Sequence, residues 1–510
     1  MIAASKYRLA DPHLHFSIAI AIVLLVTFVH VLTLPLVVSY DGMQYVHLAN
    51  VLSAPAVIAN WNFYRTPLFP LALNWAFRLG GEQPQSALLV TTLFGLGGVL
   101  LAGWTVRRIA GATAGAVALM LMVFYPILVG YQHMLLSETG IFFWLALLVW
   151  SLICLPAASK RWTMAVACWM ALVLALAYYW RPTLLYLSPV VAVVFLLRTF
   201  SSRETKRYSA LIAHFRRPEP RIIASVLIIL LAPWSLAYPW RWLTAQYMPG
   251  GYAGFLAAGM FKQVLVRPSD PVLASVRTEY EAAIQHDSVR GKLPLDGVTI
   301  GNHAKLMDDY IRAVSAAGVA RMIRRYPVRY AVRVFKSFIF FLGVPDHRVD
   351  DENWNFSRAV FDLWPGDENF EQTLGWVPSL TQFAPQHYGG GALVGKFFGG
   401  LMPVYTWLVL FCSIVSLGWM LVSLFQADSV GLALTAIPFA LLFLHALTLQ
   451  AADRYAFPVY PLMLANLVVI IRLACTELKR RRRQIEELDA SQQSVRSLLS
   501  LAEQGKRESG

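Results

Sequence analysis

Residues 16–50 read FSIAIAIVLLVTFVHVLTLPLVVSYDGMQYVHLAN. Residues 16–38 carry no formal charge and are long enough, as a helix, to cross about 30 Å of hydrocarbon. The chain then meets an acid, Asp41, at the membrane boundary. A carboxylate at the end of a membrane helix is costly to desolvate, so it is either washed by water or used for chemistry. Tyr45 and His47 follow, and then a lone base, Arg65, in WNFYRTPLFP before Pro67 and Pro70. The rest of the chain is organised around this 39–70 stretch.

The 510 residues are 57% hydrophobic and only 14% charged. Soluble domains average about a quarter charged residues, so this composition specifies a polytopic membrane protein. The net charge of +14 sits largely beside apolar segments, where Lys and Arg set topology and meet anionic headgroups. It does not indicate nucleic-acid binding. Sixteen Trp and 21 Tyr suit interfacial anchoring. Cys154, Cys168, Cys412 and Cys475 lie in or at the edges of apolar segments without CxxC or zinc spacing, and they read as small core residues. The apolar run after MIAASKYRLADPHLH is too long for a signal-peptide core and is expected to stay as the first helix.

Apolar runs near 16–38, 87–106, 110–128, 138–157, 162–180, 183–199, 222–240, 401–425, 429–450 and 456–474 predict an all-α fold with about ten transmembrane helices. Basic clusters at Arg107–Arg108, Lys160–Arg161, 198–221 and 479–483 fall together on one side, which the positive-inside rule makes cytoplasmic. The opposite face then receives the 39–85 loop, the turn YPILVGYQHMLLSE, Arg181 in YYWRPT, the 241–400 region and ADRYAFPVYP. The expected organisation is a transmembrane module over 1–240, an external or interfacial region over 241–400, further membrane helices over 401–478, and a basic cytoplasmic tail, partly helical, over 479–510.

Two stretches of the first loop, 41–53 and 66–79, have helical spacing and read as helices in the outer interface. The basic, amphipathic sequence around 321–336 suits a helix at an anionic surface, with 337–344 available to enter the membrane.

Convergence of acids, bases and aromatics on one membrane face is what a membrane enzyme requires. Asp41 and Glu138, in LLSETG, are outer-face acids near helix ends. Glu138 also suits a helix N-terminus beside a capping Ser137. Arg65, Arg181 and Arg454 are lone bases on the outer face, against the positive-inside trend. Their forked donors match phosphate, although interfacial snorkelling explains the same positions. His47, His133 and His303 also read as external, but without HxH or HExxH spacing a metal site is a minority reading.

The order of these elements resembles a known family. A first span, an external DGxxY, RTPLFPLALNWAFRLGG, a span entered through LSE, a later RPT and a terminal RYxxPxYP are similar to the GT-C superfamily of polyprenyl-phosphate-sugar glycosyltransferases. The likeness is closest to the bacterial branch that holds the protein O-mannosyltransferases and the lipid A aminoarabinose transferase. It is best over 35–200 and returns at 450–462.

That resemblance implies an enzyme of the bacterial inner membrane with its site facing the periplasm. The donor is a sugar on a polyprenyl phosphate, and the acceptor is a glycolipid, polysaccharide or protein. Asp41 is implied as the general base of an inverting displacement, and Glu138 as an acid that positions it or the acceptor, or helps hold a divalent cation. Arg65, Arg181 and Arg454 are implied as donor-phosphate ligands, and Tyr45, His47, Tyr64 and Tyr455 as substrate-binding residues. No nucleotide motif is present, as an activated lipid donor requires. The chain departs from the family where Tyr64 replaces an acid before the base and where RTP replaces a double proline. A lipid or sugar transporter, and an O-antigen ligase or polymerase using lipid-pyrophosphate glycans, are the competing readings.

Overall fold

The computed structural model describes residues 12–38, 40–53, 57, 61, 65–154, 162–201, 219–247, 323–343, 391–448 and 455–508. Among these the chain is helical apart from connections and one isolated β-bridge. The helices are α1 (Pro12–Thr33), α2 (Tyr40–Val51), α3 (Leu68–Gly80), α4 (Pro84–Ala110), α5 (Ala112–Val123), α6 (Pro126–Gln132) and α7 (Glu138–Cys154). They continue with α8 (Thr163–Trp180), α9 (Ser188–Ser201), α10 (Pro220–Tyr247), α11 (Pro327–Phe341), α12 (Gly391–Gln426), α13 (Ser429–Thr448) and α14 (Tyr460–Glu508). Short 3₁₀ turns at Pro182–Leu187 and Phe457–Val459 lead into α9 and α14.

Eight helical segments among the described residues are long and apolar enough to cross a membrane. The pair α5 and α6, bent by 62° at a short break, makes up to nine against the ten expected, and α7, expected as the fourth span, is an apolar helix of only 17 residues. The third span expected near 110–128 is therefore broken rather than straight. Pro126 is the cause, because it opens α6 and cannot donate into the preceding turn.

The outward faces are those of a lipid-immersed bundle. In α1 the stripe Phe16, Ala19, Val23, Thr27 and His30 turns inward, while Leu24, Leu25, Phe28 and Leu32 are exposed. Lipid solvates that apolar surface, so close backbone approach rather than amphipathicity selects the helix contacts. Gly98 of α4 lets the Phe142 ring of α7 lie where a Cβ would come within 2.6 Å of it. Helix α13 is enclosed on several sides, by α7, α9, α12, α14 and the 182–187 turn.

The two stretches expected to be helical in the first loop are helices α2 and α3, packed against each other. Phe69, Leu73 and Phe77 make the buried stripe of α3, while Trp75 and Leu79 face outward. Asn74 ties the two helices together by donating to the Ala49 carbonyl at 2.7 Å and the Ser53 hydroxyl at 2.8 Å. Helix α11 buries Val334, Ser337 and Phe341 and exposes Val328, Val332 and Phe335, and its Tyr330 hydroxyl donates to the Leu447 carbonyl of α13.

Three expectations change. Helix α12 begins at Gly391, inside the region assigned to the external loop. The tail is not partly helical: α14 runs unbroken to Glu508, roughly 70 Å at 1.5 Å per residue. Ion pairs one turn apart, Arg481 with Glu477 and Arg482 with Glu486, support it beyond the bundle. The four cysteines are free thiols, but only Cys412 is buried, and Cys168 and Cys475 are exposed.

Candidate active site

The site begins with backbone. After α1 the chain is extended, and Val37 pairs in parallel with Met134. The Val37 amide donates to the His133 carbonyl at 2.8 Å, and the Leu135 amide donates to the Val37 carbonyl at 3.1 Å. His133 locks the junction further. Its Nδ1 lies 3.1 Å from the Pro35 carbonyl, which can only accept, so Nδ1 carries the proton. Its Nε2 then accepts from His30 Nδ1 at 2.9 Å. His133 is fully buried, and burial lowers its pKa to about 4.

From this bridge both acids enter helices side by side. Asp41 is in the first turn of α2, and Glu138 is the first residue of α7. Each carboxylate therefore lies at the positive end of a helix dipole. Gly42 allows the approach, because a Cβ there would sit 2.7 Å from the Leu135 carbonyl oxygen.

Arg65 reads one face of α2 with all three guanidinium nitrogens. Nη2 donates to Asp41 Oδ1 at 2.5 Å, Nε to Gln44 Oε1 at 3.1 Å and Nη1 to the Tyr45 hydroxyl at 3.3 Å. The guanidinium also lies 4.9 Å from the centre of the Tyr45 ring. Residues 41, 44 and 45 share a face because they are three and four apart on a helix.

The second pair joins Arg181 Nη1 to Glu138 Oε1 at 3.0 Å. Arg181 stands in extended conformation between α8 and the 182–187 turn, with the Tyr455 ring 5.0 Å from its guanidinium. The two pairs differ in exposure. Asp41 and Arg65 are 21% and 22% exposed, open to a ligand, whereas Glu138 is 4% exposed and acts as an internal anchor for Arg181.

A hydroxyl chain links them. The Tyr45 hydroxyl donates to Ser137 Oγ at 3.3 Å, and Ser137 Oγ donates to Glu138 Oε2 at 3.5 Å. Trp180 braces the same place from below. Its indole N–H donates to the Ser137 carbonyl, and its own carbonyl accepts from the Thr66 hydroxyl, both at 2.8 Å. Phe94 and Phe69 pack on the Trp180 ring at 4.3 and 5.1 Å, and Gly140 leaves the space the indole fills.

The structure thus brings together Asp41, Glu138, Arg65, Arg181, Tyr45 and Tyr455. His47 is exposed on α2 and does not join the contacts just described. Tyr64, Arg454 and His303 lie outside the described residues. Gln44, Ser137 and Trp180 belong to the same cluster, and sequence reasoning does not mark them as site residues. Gln44 carried a usable signal, standing three residues after Asp41 on a helix. The Glu82 carboxylate accepts from Asn50 at 2.8 Å. Among the described residues no three His, Cys, Asp or Glu side chains gather as a metal site would need.

The fold and the cluster define a polytopic α-helical membrane protein with paired carboxylates and guanidiniums where several helices end. No family model matches the chain, and no curated protein matches it. Among solved structures it is similar to ArnT from Cupriavidus metallidurans bound to undecaprenyl phosphate, with a TM-score of 0.36 and 15% identity over 90% of this chain and 77% of that one. The apo state of the same protein gives a TM-score of 0.32 and 14% identity over 89% and 76%.

Proposed function

We propose that the chain is an integral membrane glycosyltransferase. It moves a sugar from a polyprenyl-phosphate donor to an acceptor hydroxyl or phosphate at the outer face of a bacterial inner membrane, with inversion at the anomeric carbon. The observation that carries this reading is the contact of one guanidinium, Arg65, with Asp41, Gln44 and Tyr45 on a single helix face. Such a fork is matched to a phosphate oxygen pair. A donor phosphate arriving there competes with Asp41 for the guanidinium and releases a carboxylate oxygen beside the reacting carbon.

The step then balances simply. The acceptor oxygen bonds to the anomeric carbon, its proton passes to Asp41, and the carbon–oxygen bond to phosphate breaks with its electron pair on the leaving group. Arg65 and Arg181, with Arg454, stabilise the departing polyprenyl phosphate. Glu138 holds Arg181 in place. Tyr45 and Tyr455 offer ring faces to the sugar.

The test is Asp41→Asn in purified, reconstituted protein. Transfer from a polyprenyl-phosphate sugar should fall by about 10²–10⁴, the usual contribution of a general base, while expression and donor binding persist. Undiminished turnover removes Asp41 from the role. Lipid movement in liposomes without a new glycosidic bond would favour a transporter, and transfer only from pyrophosphate donors a ligase-like enzyme.

A further inference from the structure

On α7, on the 182–187 turn and on α13, which packs against both, the chain leaves polar atoms enclosed and without hydrogen-bond partners. They are Thr139 Oγ1, Thr183 Oγ1 and His445 Nε2, on residues no more than 3% exposed. Buried polar groups in native proteins are satisfied by protein, water or ligand, and leaving one unmade costs the full desolvation penalty. Each exception therefore needs a reason.

Their placement supplies one. Thr139 follows Glu138, and Thr183 lies two residues after Arg181. Helix α13, which carries His445, packs against both α7 and the 182–187 turn. His445 Nδ1 is 3.0 Å from the Tyr455 carbonyl, and Tyr455 is the residue whose ring faces Arg181. Since a carbonyl only accepts, Nδ1 carries the proton and Nε2 presents a bare lone pair. Another enclosed imidazole nitrogen, His30 Nε2, has a different setting: its ring lies against His133 and Phe398.

We infer that His445, Thr139 and Thr183 form a subsite for a hydroxyl-bearing sugar ring beside the Glu138–Arg181 pair. Two hydroxyls that donate or accept and one imidazole nitrogen that accepts match a polyol. The neighbouring guanidinium disfavours a cationic group at the same place. The inference rests on the donor reading above and adds which residues read the sugar rather than the phosphate.

Binding of undecaprenyl phosphate, bare or carrying glucose, mannose or an aminopentose, to the full chain in nanodiscs separates the two. The wild type should bind one sugar-bearing donor at least ~10-fold more tightly than bare undecaprenyl phosphate, a difference of about 1.4 kcal/mol. His445→Asn keeps a donor for the Tyr455 carbonyl but removes the distal acceptor. It should erase most of that preference and leave the affinity for the bare lipid within ~2-fold. His445→Gln, whose amide reaches the Nε2 position, should restore part of it. Thr139→Val and Thr183→Val, near-isosteric, should each reduce the preference by ~3-fold, which keeps the subsite testable if the histidine variants fold poorly. Equal binding of bare and sugar-bearing lipid by the wild type, or a full preference in His445→Asn and both valine variants, overturns the subsite alone. No binding of any polyprenyl phosphate overturns the donor reading and the subsite with it.

Discussion

Val37 and Met134 pair in parallel, and the two acids of the site each follow their bridge partner by four residues. Asp41 and Glu138 are thus set in register by main-chain hydrogen bonds between segments almost a hundred residues apart. Gly42 stands where the two segments come closest. In Gly42→Ala the new Cβ meets the Leu135 carbonyl, which is backbone and cannot swing away. Overpacking of this kind costs about 1–3 kcal/mol. We expect a lowered melting temperature and, in the folded fraction, slower transfer because Asp41 is displaced. A variant indistinguishable from wild type in both would show that the approach of α2 to residue 135 is looser than described.

Arg65→Lys should fail although it preserves charge. A lysine has one nitrogen in place of the three that reach Asp41, Gln44 and Tyr45. Transfer should fall by about 10²–10³, the usual loss when one preorganised donor to a developing oxyanion is removed. Steady-state kinetics with increasing donor will show whether the loss lies in kcat, as a transition-state role requires. A change confined to KM would make Arg65 a ground-state anchor only.

Much of this site was legible beforehand, and the limits have physical causes. Uncharged runs of twenty residues admit few interpretations, so the spans stood out. Asp41, Glu138, Arg65 and Arg181 stood out because charge at a membrane boundary is costly. Which acid meets which base did not, since partner choice follows from the Val37–Met134 register and from where Trp180 rests. Ser137 stands at the start of α7 as a capping residue would, but the contact of its hydroxyl with the Glu138 carboxylate is not legible in the sequence. The burial of His133 is not legible, because a turn sequence is the same whether it faces water or is packed under. The length of α14 was hidden by a polar composition that one-turn ion pairs stabilise locally.

Glu138 and Arg181 should separate stability from activity. Glu138→Leu leaves a largely enclosed guanidinium without its carboxylate, and breaking such a pair costs about 3–5 kcal/mol. Glu138→Leu combined with Arg181→Met removes both charges and should recover most of the melting temperature. It should not recover transfer, because the proposed mechanism gives Arg181 a share in holding the leaving phosphate. A double variant that regains activity would confine the pair to structure.

His133 makes stability depend on pH. It lies just past the end of α6, and burial lowers its pKa to about 4 from an ordinary value near 6.5. The folded state therefore resists a proton that the unfolded chain accepts. Stability from this group is complete above pH 6.5 and is lost as pH falls toward 4, by about 3 kcal/mol over the whole window. Between pH 7 and 5 the melting temperature of the wild type should drop. His133→Asn retains a donor for the Pro35 carbonyl but cannot titrate, so it should start lower and fall less steeply. Parallel pH profiles for the two proteins would mean that the imidazole finds a way to be protonated without leaving the fold, and that the His30–His133 contact is not the closed latch described here.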